Sequence, residues 1–249
     1  MKSTKNSTSE TGHAKNIANF QDLISFCKGY GTKYNPIKPE LKITGLETMY
    51  QNALQNLADT QSKKTAFDNA TNQRVDAFKD LNPLATKIIN ALAVSETNPL
   101  MLSNAKFYNK KLQGRVKAKT AAVPSEENSE PVAKTISTSQ QSYDSKINNF
   151  FNLIQVLEQS LAYDPNEEDL KIILLRNKLS DLQGKNRIHT NTYTEYSNAR
   201  IARDQALYHP ISGLCQRAKE VKLYVKSVFG ATSPQYRQIS GILFSKIKP

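Results

Sequence analysis

The chain has little cysteine: Cys27 and Cys215 are its two thiols, and neither belongs to a C-x-x-C pair or lies near a histidine-rich cluster. That argues against a disulfide framework and a thiolate metal site, and both thiols read as small apolar residues in a reducing compartment. Histidine is scarce too. His13 lies in a polar opening segment, His189 in a helical stretch and His209 before a proline, and no H-E-x-x-H, G-x-S-x-G, Walker A or G-x-G-x-x-G pattern occurs. Zincin, nucleophile-elbow and phosphate-loop signatures are thus missing. Nine glycines and ten prolines in 249 residues are too few for a fibrous or low-complexity chain. No apolar run reaches the roughly 18 residues that suggest a membrane span. The opening "MKSTKNSTSETGHAK" has no apolar core, so a secretory signal is not expected. These features lead to an expected cytoplasmic location, with neither cofactor nor metal.

What is present is a globular composition, 38% hydrophobic, with a net charge of +12 that is unevenly spread. Residues 106–119 hold six bases and no acid: Lys106, Lys110, Lys111, Arg115, Lys117 and Lys119. Residues 205–249 hold seven bases against the single Glu220. Clustered cations attract polyanions, so the first six bases, with Arg217, Lys219, Lys222 and Lys226, form a candidate polyanion-binding set. The plainer reading of the same residues is a solvated linker and a solvated helix face.

The chain also repeats itself. Tyr34, Pro36, Leu41, Lys42 and Leu46 recur 129 residues later as Tyr163, Pro165, Leu170, Lys171 and Leu175. Before this motif "NFQDLI" from Asn19 answers "NFFNLI" from Asn149; after it Thr65, Asn69, Ala70 and Arg74 answer Thr194, Asn198, Ala199 and Arg203. The period is too long for a solenoid and indicates an internal duplication. Between the copies, Gly114 to Ser139 has the composition of a linker. The boundaries are therefore a disordered tail over 1–13, a first helical repeat over 14–113, a flexible linker over 114–139 and a second repeat with a basic tail over 140–249.

Each copy has the helical period. Phe20, Leu23, Ile24 and Cys27, like Phe150, Leu153, Ile154 and Leu157, recur at i, i+3, i+4 and i+7 and predict a first helix. Pro36 and Pro165, preceded by Asn35 and Asp164, predict the start of a long second helix. Its stripe runs through Ile43, Leu46, Tyr50, Ala53 and Leu57 in one copy and Ile172, Leu175, Leu179 and Leu182 in the other. Leu84, Ile88 and Leu92, and Leu214, Ala218, Val221, Val225 and Val228, mark a third. The short helices can cover opposite halves of the long one but give each half only one partner, too little for a wide apolar stripe. The second copy would supply the rest. The expected fold is all-α: duplicated three-helix units, short–long–short, packed as a pseudo-twofold elongated helical bundle. Two separate bundles on a flexible linker are the alternative.

The stretches "SQQSYDSKINNF", "YTEYSNARIAR" and "YVKSVFGATSPQYRQISGILF" resemble a family of uncharacterised two-repeat helical proteins of Bacteroidetes-type bacteria. The resemblance extends over nearly the whole chain and implies a bacterial, intracellular, all-helical protein. It carries no catalytic or ligand-binding residues.

Two further features are candidate sites. Arg74 and Arg203 occupy corresponding positions where the stripe turns polar, and could meet across the pseudo-twofold to form an inter-repeat anion or ion-pair site. Asp68, Asp76 and Glu195 are close enough in sequence for ordinary internal pairing. His189 on the same stripe reads as a structural polar layer, and Tyr193 and Tyr196 as core residues with satisfied hydroxyls. The leading functional expectation is a non-enzymatic scaffold or adaptor that binds another macromolecule, with a protein partner favoured over nucleic acid. A sequence-nonspecific nucleic-acid binder using the basic segments is the alternative, and an enzyme with a shallow novel site a third. A monomer with paired repeats is expected over a homo-oligomer.

Overall fold

The computed structural model describes residues 12–114 and 141–245, and every regular element among them is helical. The predicted linker beyond Gly114 and most of the predicted tail lie outside the described residues. In chain order the α-helices are α1 (His13–Gly29), α2 (Ile43–Lys79), α3 (Leu81–Val94), α4 (Pro99–Gln113), α5 (Tyr143–Glu158), α6 (Ile172–Tyr208), α7 (Leu214–Phe229) and α8 (Pro234–Ser240). His13, expected in the tail, is the first residue of α1, and its Nδ1 lies 2.8 Å from the Tyr208 hydroxyl.

Local chemistry sets several of the boundaries. Asn98 accepts a hydrogen bond from the Leu100 amide and Ser233 one from the Tyr236 amide, each followed by a proline in the first turn, so cap and proline together start α4 and α8. Pro83 falls inside the first turn of α3, where a missing N–H is tolerated, and α3 therefore begins at Leu81 rather than after the proline. In the second copy α7 waits until Leu214, because the Gly213 amide first donates to the His209 carbonyl at 2.9 Å. A Cβ on Gly213 would lie 2.5 Å from the His209 nitrogen, so no other residue fits that turn.

The repeated motif is a hydrogen-bonded corner. The helix start expected at Pro36 and Pro165 comes seven residues later, at Ile43 and Ile172. Short 3-10 turns, Pro39–Leu41 and Glu168–Leu170, intervene, and Asn35 and Asp164 cap nothing. Across each corner a buried tyrosine hydroxyl reaches back to the leucine that ends the 3-10 turn: Tyr34 donates to the Leu41 carbonyl at 2.7 Å and Tyr163 to that of Leu170 at 2.9 Å. Burial raises both phenol pKa values, that of Tyr163 to about 12, so the hydroxyls remain donors at neutral pH. Tyr34→Phe and Tyr163→Phe should each cost about 1–2 kcal/mol, since each strands a buried carbonyl. Urea midpoints should fall with unchanged slopes; unchanged midpoints would remove the corner bond as the reason for the repeated tyrosine.

The chain divides into two compact units that cut across the repeats. One holds the residues up to Phe67 together with those from Thr192 onward; the other is Asp68–Asn191. In the first, Phe20, Leu23 and Ile24 of α1 share a core with Leu46 and Ala53 of α2, Leu207 of α6, and Ala218, Val221 and Val225 of α7. Here α1, from the first repeat, packs on α7 and α8 from the second. In the other unit Phe150, Leu153, Ile154 and Leu157 of α5 share a core with Ile88 and Leu92 of α3, Ala105 and Leu112 of α4, and Leu175, Leu179 and Leu182 of α6. There α5, from the second repeat, packs on α4 from the first. Fully burying each such side chain contributes on the order of 1.5–3 kcal/mol, and neither repeat assembles one of these cores from its own helices.

Candidate functional site

The ten basic candidates have different fates. Arg115, Lys117 and Lys119 lie outside the described residues. Lys106 and Lys110 on α4 are exposed, as are Lys219 and Lys226 on α7; Lys111 is half-buried, with its ammonium 4.7 Å from the Phe107 ring centroid. Two others are internal. Arg217 is buried, 7% exposed, on the apolar face of α7 and donates to Glu220 at 2.8 Å. Lys38 donates to the same carboxylate oxygen at 2.8 Å. Burial opposes ionisation of Glu220, yet these two cations hold its pKa below the ordinary value. Lys222 donates to the Ser240 carbonyl at 3.1 Å and to that of Ile242, and burial lowers its pKa. Of the four α7 candidates, Arg217 and Lys222 are thus engaged within the fold, while Lys219 and Lys226 are exposed. Among the aromatics near these bases, Tyr108, Tyr236 and Phe244 pack against the cores and Phe107 is exposed.

Arg74 and Arg203 belong to different compact units, and each has its own partners. Arg203 donates through Nε to Asp204 at 2.9 Å, with Nη2 2.8 Å from the same oxygen. Arg74 donates to Asn186 at 3.2 Å and, through Nη2, to His189 Nε2 at 3.0 Å, while its guanidinium carbon lies 4.1 Å over the Tyr143 ring. Asn186 in turn donates to Asp144 at 2.7 Å. Each arginine is thus engaged within its own unit.

Arginine has no acceptor, so His189 must present a bare Nε2 to Arg74. Burial and the Arg74 charge both lower its pKa from the ordinary 6.5. The folded chain therefore binds fewer protons at this site than the unfolded chain, and stability is lost as the pH falls from about 6.5 through the folded value. His13 titrates in the same direction, through burial and then the charge of Arg203. The melting temperature should drop between pH 7.5 and 5.5, and His189→Gln, which keeps an acceptor without a titrating group, should flatten that drop. An unchanged slope in the variant would clear His189 of the effect. Tyr193, expected in the core, is 53% exposed beside Phe67, ring centroids 5.4 Å apart.

Sequence reasoning missed a cavity of about 620 Å³ at the second corner. It is lined by Lys87 and Val94 of α3 and by Ala162, Asp164, Glu167 and Asp169 of the corner segment, among others. Val94 in its lining is 88% exposed, and Leu161, which precedes the lining residue Ala162 in the chain, is fully exposed. Three carboxylates face one ammonium there, and that ammonium, Lys87, lies 3.2 Å from Asp169. A legible signal was Leu161 itself, an aliphatic residue inside a polar turn. In the other unit a cavity of about 730 Å³ is lined by Pro39, Gly45, Met49, Asn52, Ala202 and His209, among others. Gly45 is fixed by the first corner, since a Cβ there would lie 2.5 Å from the Pro39 carbonyl oxygen.

Among the described residues no group of three or more His, Cys, Asp or Glu side chains is placed to hold a metal, and no helix is long and apolar enough to cross a membrane. Burial raises the thiol pKa of Cys27 to about 12 and that of Cys215 to about 11, which keeps both as unreactive thiols. No family model, no curated protein and no solved structure matches this chain.

Proposed function

We propose that the protein is a helical scaffold that binds another protein at the second corner, through the cavity between α3 and the Ala162–Leu170 segment. One observation carries the reading: in a chain of net charge +12, an acidic cavity has the exposed aliphatic Val94 in its lining, and the exposed Leu161 directly precedes its lining residue Ala162. Water-exposed aliphatic side chains around a concavity suit insertion into a partner's apolar surface. The carboxylates of Asp164, Glu167 and Asp169 repel a polyanion and favour a basic segment on the partner. The internal roles of Arg217 and Lys222 weigh in the same direction, against nucleic acid. We read the whole as a duplicated unit with pseudo-twofold pairing of its copies, supported by the two equivalent tyrosine corners.

The test is capture of the tagged protein's partners from native lysate with and without nuclease, run beside a Val94→Asp/Leu161→Asp variant of unchanged helicity. A protein that survives nuclease, and that the variant fails to retain, is the expected result. Nucleic acid released by salt, equally from both chains, would overturn the reading.

A further inference from the structure

We propose that the groove between α1 and α7 is a binding site for an extended peptide carrying one aromatic anchor, and that the segment after α8, Gly241–Ser245, is its resident occupant. The inference concerns the unit that contains α1 and is independent of the Val94–Leu161 surface. It begins with Asn16, which is 2% exposed and must find partners for its amide. Its Nδ2 donates to the Ser245 carbonyl at 2.8 Å, and its Oδ1 accepts from the Ser245 amide at 3.0 Å. One side chain thus reads both backbone groups of a single residue.

A turn earlier in the peptide path, Asn19 Nδ2 donates to the Leu243 carbonyl at 2.7 Å. Carbonyls two residues apart that face the same helix have the period of extended chain. From the α7 side, Lys222 donates to the carbonyls of Ser240 and Ile242. The floor is polar and ordered as well: Asn16 also donates to the Tyr208 hydroxyl at 3.1 Å.

These contacts ignore side-chain identity, and main-chain hydrogen bonds of this kind give affinity while pockets give specificity. The pocket takes Phe244. Its ring meets the fully buried Phe20 edge to face, centroids 6.4 Å apart, and the Lys222 ammonium lies 5.7 Å from its centroid. The neighbouring Leu243 is 67% exposed, so the groove places little demand on that position. Beside the segment a cavity of about 370 Å³, lined by Asn19, Asp22, Gln238 and Leu243 among others, leaves room for a larger residue there. The ligand class is therefore an extended peptide with an aromatic residue followed by a small polar one.

The corresponding position in the other unit shows what the asparagine lacks without such a peptide. Asn149, counterpart of Asn19, is buried with its amide nitrogen unpartnered, and α5 is packed instead against α4. The resident segment has no fully buried residue, its apolar contacts with the core being the partly buried Ile242 and Phe244, and it is open to exchange with a peptide of the same chemistry.

The experiment uses the full chain and a fluorescent, end-capped peptide with the sequence SGILFSK of residues 240–246. Phe244→Ala weakens the resident segment and should make the chain bind the peptide at least tenfold more tightly than the unaltered chain, by anisotropy. Adding Asn19→Ala, a change at a partly exposed position that leaves the helix intact, should weaken that binding about fivefold or more, as loss of one hydrogen bond does. Replacing the peptide's phenylalanine by alanine should abolish it. No binding to the Phe244→Ala chain, or binding indifferent to Asn19 and to the peptide's phenylalanine, would overturn the proposal. Either result leaves the Val94–Leu161 reading untouched, because that surface is unaltered.

Discussion

Leu175→Asp should leave no cooperative helical melt at 25 °C. Leu175 is fully buried in the core that α3, α4, α5 and α6 share. An aspartate there loses the leucine's burial, opens a gap and must either bury a charge or bind a proton against its ordinary pKa. Together these cost about 5 kcal/mol or more, comparable with the whole stability of a typical domain. Circular dichroism against temperature checks it. A variant melting within a few degrees of the parent would mean that this position does not lie in a packed core, and the fold described above would be wrong at its centre.

The second large effect is an asymmetry around Glu220. Glu220→Ala should cost about 3 kcal/mol, because it leaves the Arg217 guanidinium buried with its direct carboxylate gone. Arg217 already has one buried nitrogen, Nε, without a partner, so the loss adds to an existing deficit. Removing both charges as Arg217→Met/Glu220→Ala should recover most of the loss, since replacing a buried pair by apolar groups is often neutral. Chemical denaturation of the two single variants and the double would measure the coupling. Additive losses would show that Lys38 and solvent, rather than Arg217, determine the carboxylate's role. The sign with pH follows from the depressed pKa: the contribution of Glu220 is fully present above 4.5 and is lost as the pH falls through its folded value.

Arg217 also shows where sequence reading ended. Counted along the chain it joins Lys219, Lys222 and Lys226 as a basic run; counted around the helix it falls with Leu214, Ala218 and Val221 on the buried face. The helical period held the answer, and linear charge counting hid it. Val228 erred in the opposite sense, continuing the stripe in sequence but lying 44% exposed at the end of α7. The caps at Asn98 and Ser233 were legible because a cap is a local bond between residues two or three apart. The corner was only half legible: the repeat marked Tyr34 and Tyr163, but proline rules placed the helix start at the wrong end of a turn stabilised by a tyrosine hydroxyl seven residues away from its acceptor. Nothing local could reveal that Asn16 binds the backbone of Ser245, since 229 residues separate them. The Val94–Leu161 rim was hidden for the same reason, because it needs α3 and a later loop to be neighbours.

The division into Asp68–Asn191 and its flanking pieces has a consequence for synthesis on the ribosome. The Asp68–Asn191 unit is continuous in the chain and is complete as soon as the first half of α6 has emerged. The other is split around it: α1 precedes that unit in the chain, and its partners on α7 and α8 follow it. At ~5–20 residues per second, the roughly 200 residues between them take about 10–40 s. Throughout that interval Phe20, Leu23 and Ile24 lack the α7 surface that covers them in the finished protein. Apolar surface left uncovered in this way is prone to aggregate, and a pause in translation after α6 would prolong that exposure rather than assist folding.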